Sequence, residues 1–210
     1  QEIRSNLQTL KGFFWIFATV LVIWVLTLLR IFIVDAGIFT MAVGMSAVIG
    51  IPIVYIYKKV DLSKQWVKYV FLTLISMISA IFATFLSFHA VLIYVLPLLL
   101  AVQYRQKRSL WITYFVNDIT MTISMLAGFY YGICDLNLLL GSNHTRSWYL
   151  EQWSAGTLQF DLEPDPVFVI LFYGALPRAV ILLVFTLILR YISISGHTDA
   201  QRIADLTYRK

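Results

Sequence analysis

Three ionisable residues stand inside long apolar runs of this 210-residue chain: Arg30, Asp118 and Arg178. A charged side chain at the centre of a bilayer costs about 2.5–3.5 kcal/mol even on the mildest scales, so each needs a partner or a task. Asp118 and Arg178 both fall midway along their runs, which makes them the simplest pair. Arg30 is then left to His89, to the backbone, to lipid phosphate or to a ligand. Two chemistries follow. In one, Asp118–Arg178 is an ion pair that fixes helix register while Arg30 snorkels outward. In the other, Arg30 and Arg178 hold an anionic or carbonyl-bearing ligand in an outer-facing polar pocket, with Asn117 and Asp118 orienting it. A proton or ion pathway is a third reading, served by a single acidic residue.

Other chemistry finds little support. His89, His144 and Asp135 share one side of the membrane but no metal-ligand spacing. No metal or other cofactor is expected. There is no HExxH, GxSxG, Walker or glycine-rich phosphate motif, and no acid–base pair for catalysis, so the chain is not expected to be an enzyme by itself. Cys134 is the only cysteine and permits no internal disulfide. Asn143-His144-Thr145 matches a glycosylation acceptor pattern.

The elements that must position these residues are membrane helices. The chain is 60% hydrophobic and 13% charged, with a mean hydropathy of +0.81. Soluble domains carry about 25% charged residues. Residues 69–104 hold no Asp, Glu, Lys or Arg and read as a helical hairpin turning at residues 87–90, flanked by Lys64 and Lys68 on one side and Arg105, Lys107 and Arg108 on the other. The fold class expected is all-α, a polytopic bundle of six transmembrane helices over residues 13–34, 38–57, 69–86, 90–104, 110–132 and 167–189. Residues 1–12 read as a cytoplasmic lead-in, 133–166 as an acidic outer loop and 190–210 as a cytoplasmic helical connector. The transmembrane domain as a whole covers 13–189. Two stripes of small residues, Ala42, Ser46 and Gly50, then Ser76, Ala80 and Thr84, are suited to close helix packing. Thr113, Asn117, Thr120 and Ser124 form a polar stripe on the fifth span. The fourth span is short and contains Pro97, the pattern of a tilted, kinked or broken helix.

The inner segments hold 13 of the 16 Lys and Arg residues, which puts both termini in the cytoplasm of a plasma-membrane protein. The net charge of +5 is spent on topology and anionic lipid rather than on nucleic acid. The chain begins with Gln1 rather than Met and stops inside a helix-like stretch, so it reads as part of a longer protein.

Three patches carry a family resemblance. They are Leu96-Pro97-Leu98-Leu99-Leu100-Ala101 running into Tyr104-Arg105-Gln106-Lys107-Arg108, then Gly132-Ile133-Cys134-Asp135-Leu136-Asn137, then Ala175-Leu176-Pro177-Arg178. Over roughly residues 69–200 the chain resembles multi-pass N-terminal input domains of bacterial signalling proteins, such as membrane diguanylate cyclases and histidine kinases. That resemblance implies a sensor, a receptor-like unit of the cell inner membrane. It would bind a small ligand or lipid and pass a conformational signal to a cytoplasmic output domain in the same chain beyond residue 210, with a second copy as a further partner. A substrate-binding membrane subunit of a small-solute transporter is the alternative.

Overall fold

The computed structural model describes residues 2–31, 36–86, 92–130 and 166–208, together with Glu151 and Ala155. Its elements are α1 (Glu2–Leu28), α2 (Ala36–Lys59), α3 (Gln65–Leu86), α4 (Leu96–Val102), α5 (Lys107–Tyr130) and α6 (Leu176–Tyr208), the last preceded by a four-residue α turn (Pro166–Val169) and a π-helical stretch (Ile170–Ala175). No strand occurs among the described residues. His89 and nearly all of the expected outer loop 133–166 lie outside the described residues.

Among the described residues, five helices are long and apolar enough to cross a bilayer: Glu2–Leu28, Ala36–Lys59, Gln65–Phe85, Lys107–Gly128 and Ile170–Ser193. The expected fourth span falls below that length in its described part. Its described part is a 3₁₀ turn at residues 92–95 followed by the seven residues of α4. Eleven residues, Leu92–Val102, rise about 16 Å at helical pitch, roughly half of a ~30 Å hydrocarbon core. Pro97 is accommodated because it sits in the first turn of α4, where a backbone N–H has no helical partner to lose.

Residues 2–12, read as a lead-in, form the first turns of α1 and are continuous with the first span. α6 runs unbroken through Gly196 to Tyr208.

α3 is the central helix and packs against α1, α2, α4 and α5. It buries Val67, Phe71, Leu72, Ile75, Ile78 and Phe82. α2 and α5 flank it, while α6 packs on α5 and α4. The outer faces of α1, α2 and α6 stay apolar and exposed, with Trp15, Val48, Ile51, Val180, Ile181 and Val184 among them. That arrangement suits lipid as the surrounding solvent, since lipid tails satisfy apolar side chains without any need to bury them in protein.

The small-residue stripes lie at helix contacts. Ala42, Ser46 and Gly50 on α2 are buried, as are Ser76 and Ala80 on α3. At Gly50 a Cβ would stand 3.4 Å from the tip of the Phe13 ring, so α1 and α2 approach closely there. Gly12 is tighter still. A Cβ at that position would meet Leu100 Cδ2 at 2.7 Å, which marks the crossing of α1 with α4.

The turns are built by local hydrogen bonds. In the α2–α3 connection Asp61 accepts from the Ser63 backbone N–H at 2.9 Å and from its hydroxyl at 2.7 Å. Those bonds, the backbone one first, hold the Asp61 carboxyl below its ordinary range. Arg105, between α4 and α5, takes a left-handed conformation at φ 52°.

A buried polar lock and a lateral cleft as candidate functional sites

The described residues hold two features with chemistry in them, one at each end of the bundle. The first lies where the Lys- and Arg-rich connections gather. Glu2, Ser5, Asn6 and Thr9 recur at helical spacing on one face of α1. Asn6 and Thr9 are fully buried, and Ser5 nearly so. Asn6 Nδ2 donates to the Leu62 carbonyl at 2.8 Å, and the Tyr104 hydroxyl donates to Asn6 Oδ1 at 2.7 Å. Ser5 Oγ donates to the Gln103 carbonyl at 3.2 Å. Lys68, 1% exposed, donates to Glu2 Oε1 at 2.9 Å and to Gln106 Oε1 at 2.7 Å. Gln106 Nε2 closes the triangle on Glu2 Oε1 at 2.8 Å. The ammonium also lies 5.3 Å from the centre of the Tyr69 ring, within cation–π range. A buried cation needs such partners, and Glu2 Oε2 in the same network is buried without a hydrogen bond. This network ties α1 to both basic connections and to α3.

The second feature is a cleft of about 790 Å³ between α2, α3 and α5, toward the opposite end of the bundle. Its walls include Ile38, Met41 and Met45 of α2, Met77 and Ile81 of α3, and Ile123 of α5. Three hydroxyls share the wall: Thr84, Thr120 and Ser124. All three are engaged. Thr84 Oγ1 donates to the Ala80 carbonyl at 2.9 Å and touches Ser124 Oγ, Ser124 Oγ donates to the Ala80 carbonyl at 2.7 Å, and Thr120 Oγ1 donates to the Asn117 carbonyl at 3.0 Å. The contact of Thr84 and Ser124 also clasps α3 to α5.

The residues singled out by sequence are distributed among different neighbours. Arg30 ends α1. It sits at φ 58° with its N–H on the Thr27 carbonyl at 3.0 Å, and the next N–H, of Ile31, reaches back to Leu26 at 3.0 Å. That is a Schellman C-terminus with arginine where glycine is usual. Asn117 is fully buried and donates through Nδ2 to the Tyr94 carbonyl at 2.7 Å, which holds the 3₁₀ turn ahead of α4. Its Oδ1, and Oδ1 of Asp118, are buried without a hydrogen-bond partner. Arg178 Nη1 donates to Met125 Sδ at 3.0 Å, which joins α6 to α5. Nearby the Tyr114 hydroxyl donates to the Ala179 carbonyl at 3.4 Å, a second link from α5 to α6. Neither Arg30, Asn117, Asp118 nor Arg178 lines the cleft, whereas Ala80 and Thr84 of the packing stripe do.

Sequence reasoning missed the lock. A signal was present, since Glu2, Ser5, Asn6 and Thr9 share one helical face, but polar residues ahead of an apolar run read equally well as solvated. No group of three or more His, Cys, Asp or Glu able to hold a metal occurs among the described residues. No protein-family model, curated protein or solved structure matches the chain.

Proposed function

We propose that this chain is the membrane-embedded input domain of a signalling protein, with its ligand in the cleft between α2, α3 and α5 and its output carried on α6. The basic end of the bundle is taken as cytoplasmic, by the excess of Lys and Arg on that side. The observation that carries the reading is the length and continuity of α6. Its 33 residues rise about 50 Å, well beyond a ~30 Å hydrocarbon core. It starts beside Met125, near the far end of α5, and returns past the basic end as one unbroken helix. A rigid helix of that kind conveys rotation or piston movement out of the membrane to a cytoplasmic output domain. Ligand binding would act by favouring one packing of α3 and α5, which α6 follows through Tyr114–Ala179 and Met125–Arg178. The short span–motif resemblance to bacterial signalling input domains supports the same reading.

The test is one of helical phase. Insertion of one to four alanines after Ser193 rotates everything downstream by about 100° per residue. In a fusion of residues 1–210 to a dimeric reporter enzyme, activity should oscillate with inserted length. A flat response would sink the input-domain reading.

One observation favours the transporter alternative. The short α4 behind its 3₁₀ turn, and the π stretch ahead of Pro177, depart from regular α-helix, as helices that form solute sites in carriers do. Solute uptake by proteoliposomes together with a flat phase response would select it.

A further inference from the structure

The geometry points to an occupant for the cleft: one acyl chain of a phospholipid from the adjoining bilayer leaflet. This rests on the reading of the cleft as the ligand site and names the chemistry that fills it.

Three observations converge. The first is polarity. Every hydroxyl on the wall, those of Thr84, Thr120 and Ser124, already donates to a backbone carbonyl. No charged side chain lines the space. A polar ligand would lose its hydration there and gain no donor in return. A hydrocarbon chain loses nothing and satisfies the walls, so the wall and this occupant are matched in charge and hydrogen bonding.

The second is length. Along α2 the lining runs from Ile38 to Ile49, a rise of about 16 Å. Along α3 it runs from Met77 to Phe85, about 12 Å. One leaflet is about 15 Å deep, half of the ~30 Å hydrocarbon core. The cleft therefore spans the depth of one leaflet and ends near the midplane.

The third is access and adaptability. Met41 and Ile123, on opposite walls, are 58% and 59% exposed, so the cleft opens sideways into lipid. Met41, Met45 and Met77, three of the five methionines in the chain, line it. Unbranched thioether side chains repack around a flexible guest at little cost.

The experiment is photolabelling in nanodiscs that contain phosphatidylcholine with a diazirine midway along one acyl chain. Adducts are mapped by mass spectrometry and expressed as the ratio of cleft sites (Met41, Met45, Met77, Ile123) to the lipid-facing sites Val180, Ile181 and Val184 on α6. The expected result is enrichment in the cleft that falls by about tenfold when Ala127→Phe fills it. Ile81→Trp is a second filling variant should the first fail to fold, and unchanged α6 adducts report that the bundle is intact. A ratio near unity, or one unmoved by either variant, means annular lipid only and overturns the proposal. Labelling of the cleft by a free diazirine fatty acid but not by the phospholipid also overturns it. Because the readout is occupancy without an output domain, its failure is separable from failure of the helical-phase test.

Discussion

Lys68 shows how far tertiary context changes what one residue does. In the sequence it closes a run of lysines ahead of a span and reads as a topology signal. In the fold it is buried, and its charge is met by Glu2 and Gln106. The two partners of the ion pair are unequal, with side chains 2% and 24% exposed. Removing Glu2 strands a fully buried cation, whereas removing Lys68 leaves a carboxylate that is about a quarter exposed, with Oε2 buried. Glu2→Ala should therefore destabilise more than Lys68→Met, by about 3 kcal/mol against about 1–2 kcal/mol, below the ~3–5 kcal/mol of a fully enclosed pair. Thermal unfolding in detergent or nanodiscs measures both, and equal losses would show that the pair is effectively solvated. Arg30 and Arg105 make a different point. Both take left-handed backbone at the end of a helical segment, a conformation that usually falls to glycine or asparagine. A residue that looked like a ligand for anions is, at the level of its backbone, a helix terminator.

At the scale of elements, the crossing of α1 and α4 is set by Gly12. A methyl group there would overlap Leu100 Cδ2, the flexible end of a side chain rather than backbone. Gly12→Ala gains ~1 kcal/mol of helix propensity against the shift of a flexible Leu100 tip and should be near neutral, whereas Gly12→Val should cost ~1–3 kcal/mol of overpacking. A neutral Gly12→Val, read by the same unfolding assay, would mean that the two helices are not held at this distance. The long apolar runs could be read from the sequence because a bilayer demands length and apolarity in one continuous segment. The stripe Thr113, Asn117, Thr120 and Ser124 could be read because helical periodicity places those residues on one face. What could not be read is which groups meet that face. Asn117 finds a carbonyl in a 3₁₀ turn, and Ser124 finds one inside another helix. Nor does composition mark the π stretch ahead of Pro177, whose extra residue per turn shows only in the backbone.

At the scale of the whole molecule, orientation is the testable quantity. The basic connections and the Arg30 turn lie at opposite ends of α2 and α3. In a Cys134→Ser background, an impermeant maleimide should label Lys64→Cys only from the cytoplasmic face and Arg30→Cys only from the other. Labelling of both from one face would show that α2 does not cross the bilayer. The cleft was not legible in the sequence: the polar residues that drew attention are spread over other contacts, and the cleft is walled by side chains that any span would carry. The buried lock has a consequence for biogenesis. The first turns of α1 leave the ribosome before their partners exist, since Glu2 and Gln106 are separated by 104 residues and Asn6 and Tyr104 by 98. Until the α4–α5 connection has been synthesised, Asn6 and the Glu2 carboxylate have nothing but water to satisfy them. The amino-terminal end of α1 is thus translated well before its partners and seated late, and the bundle closes around it only once the α4–α5 connection has been made.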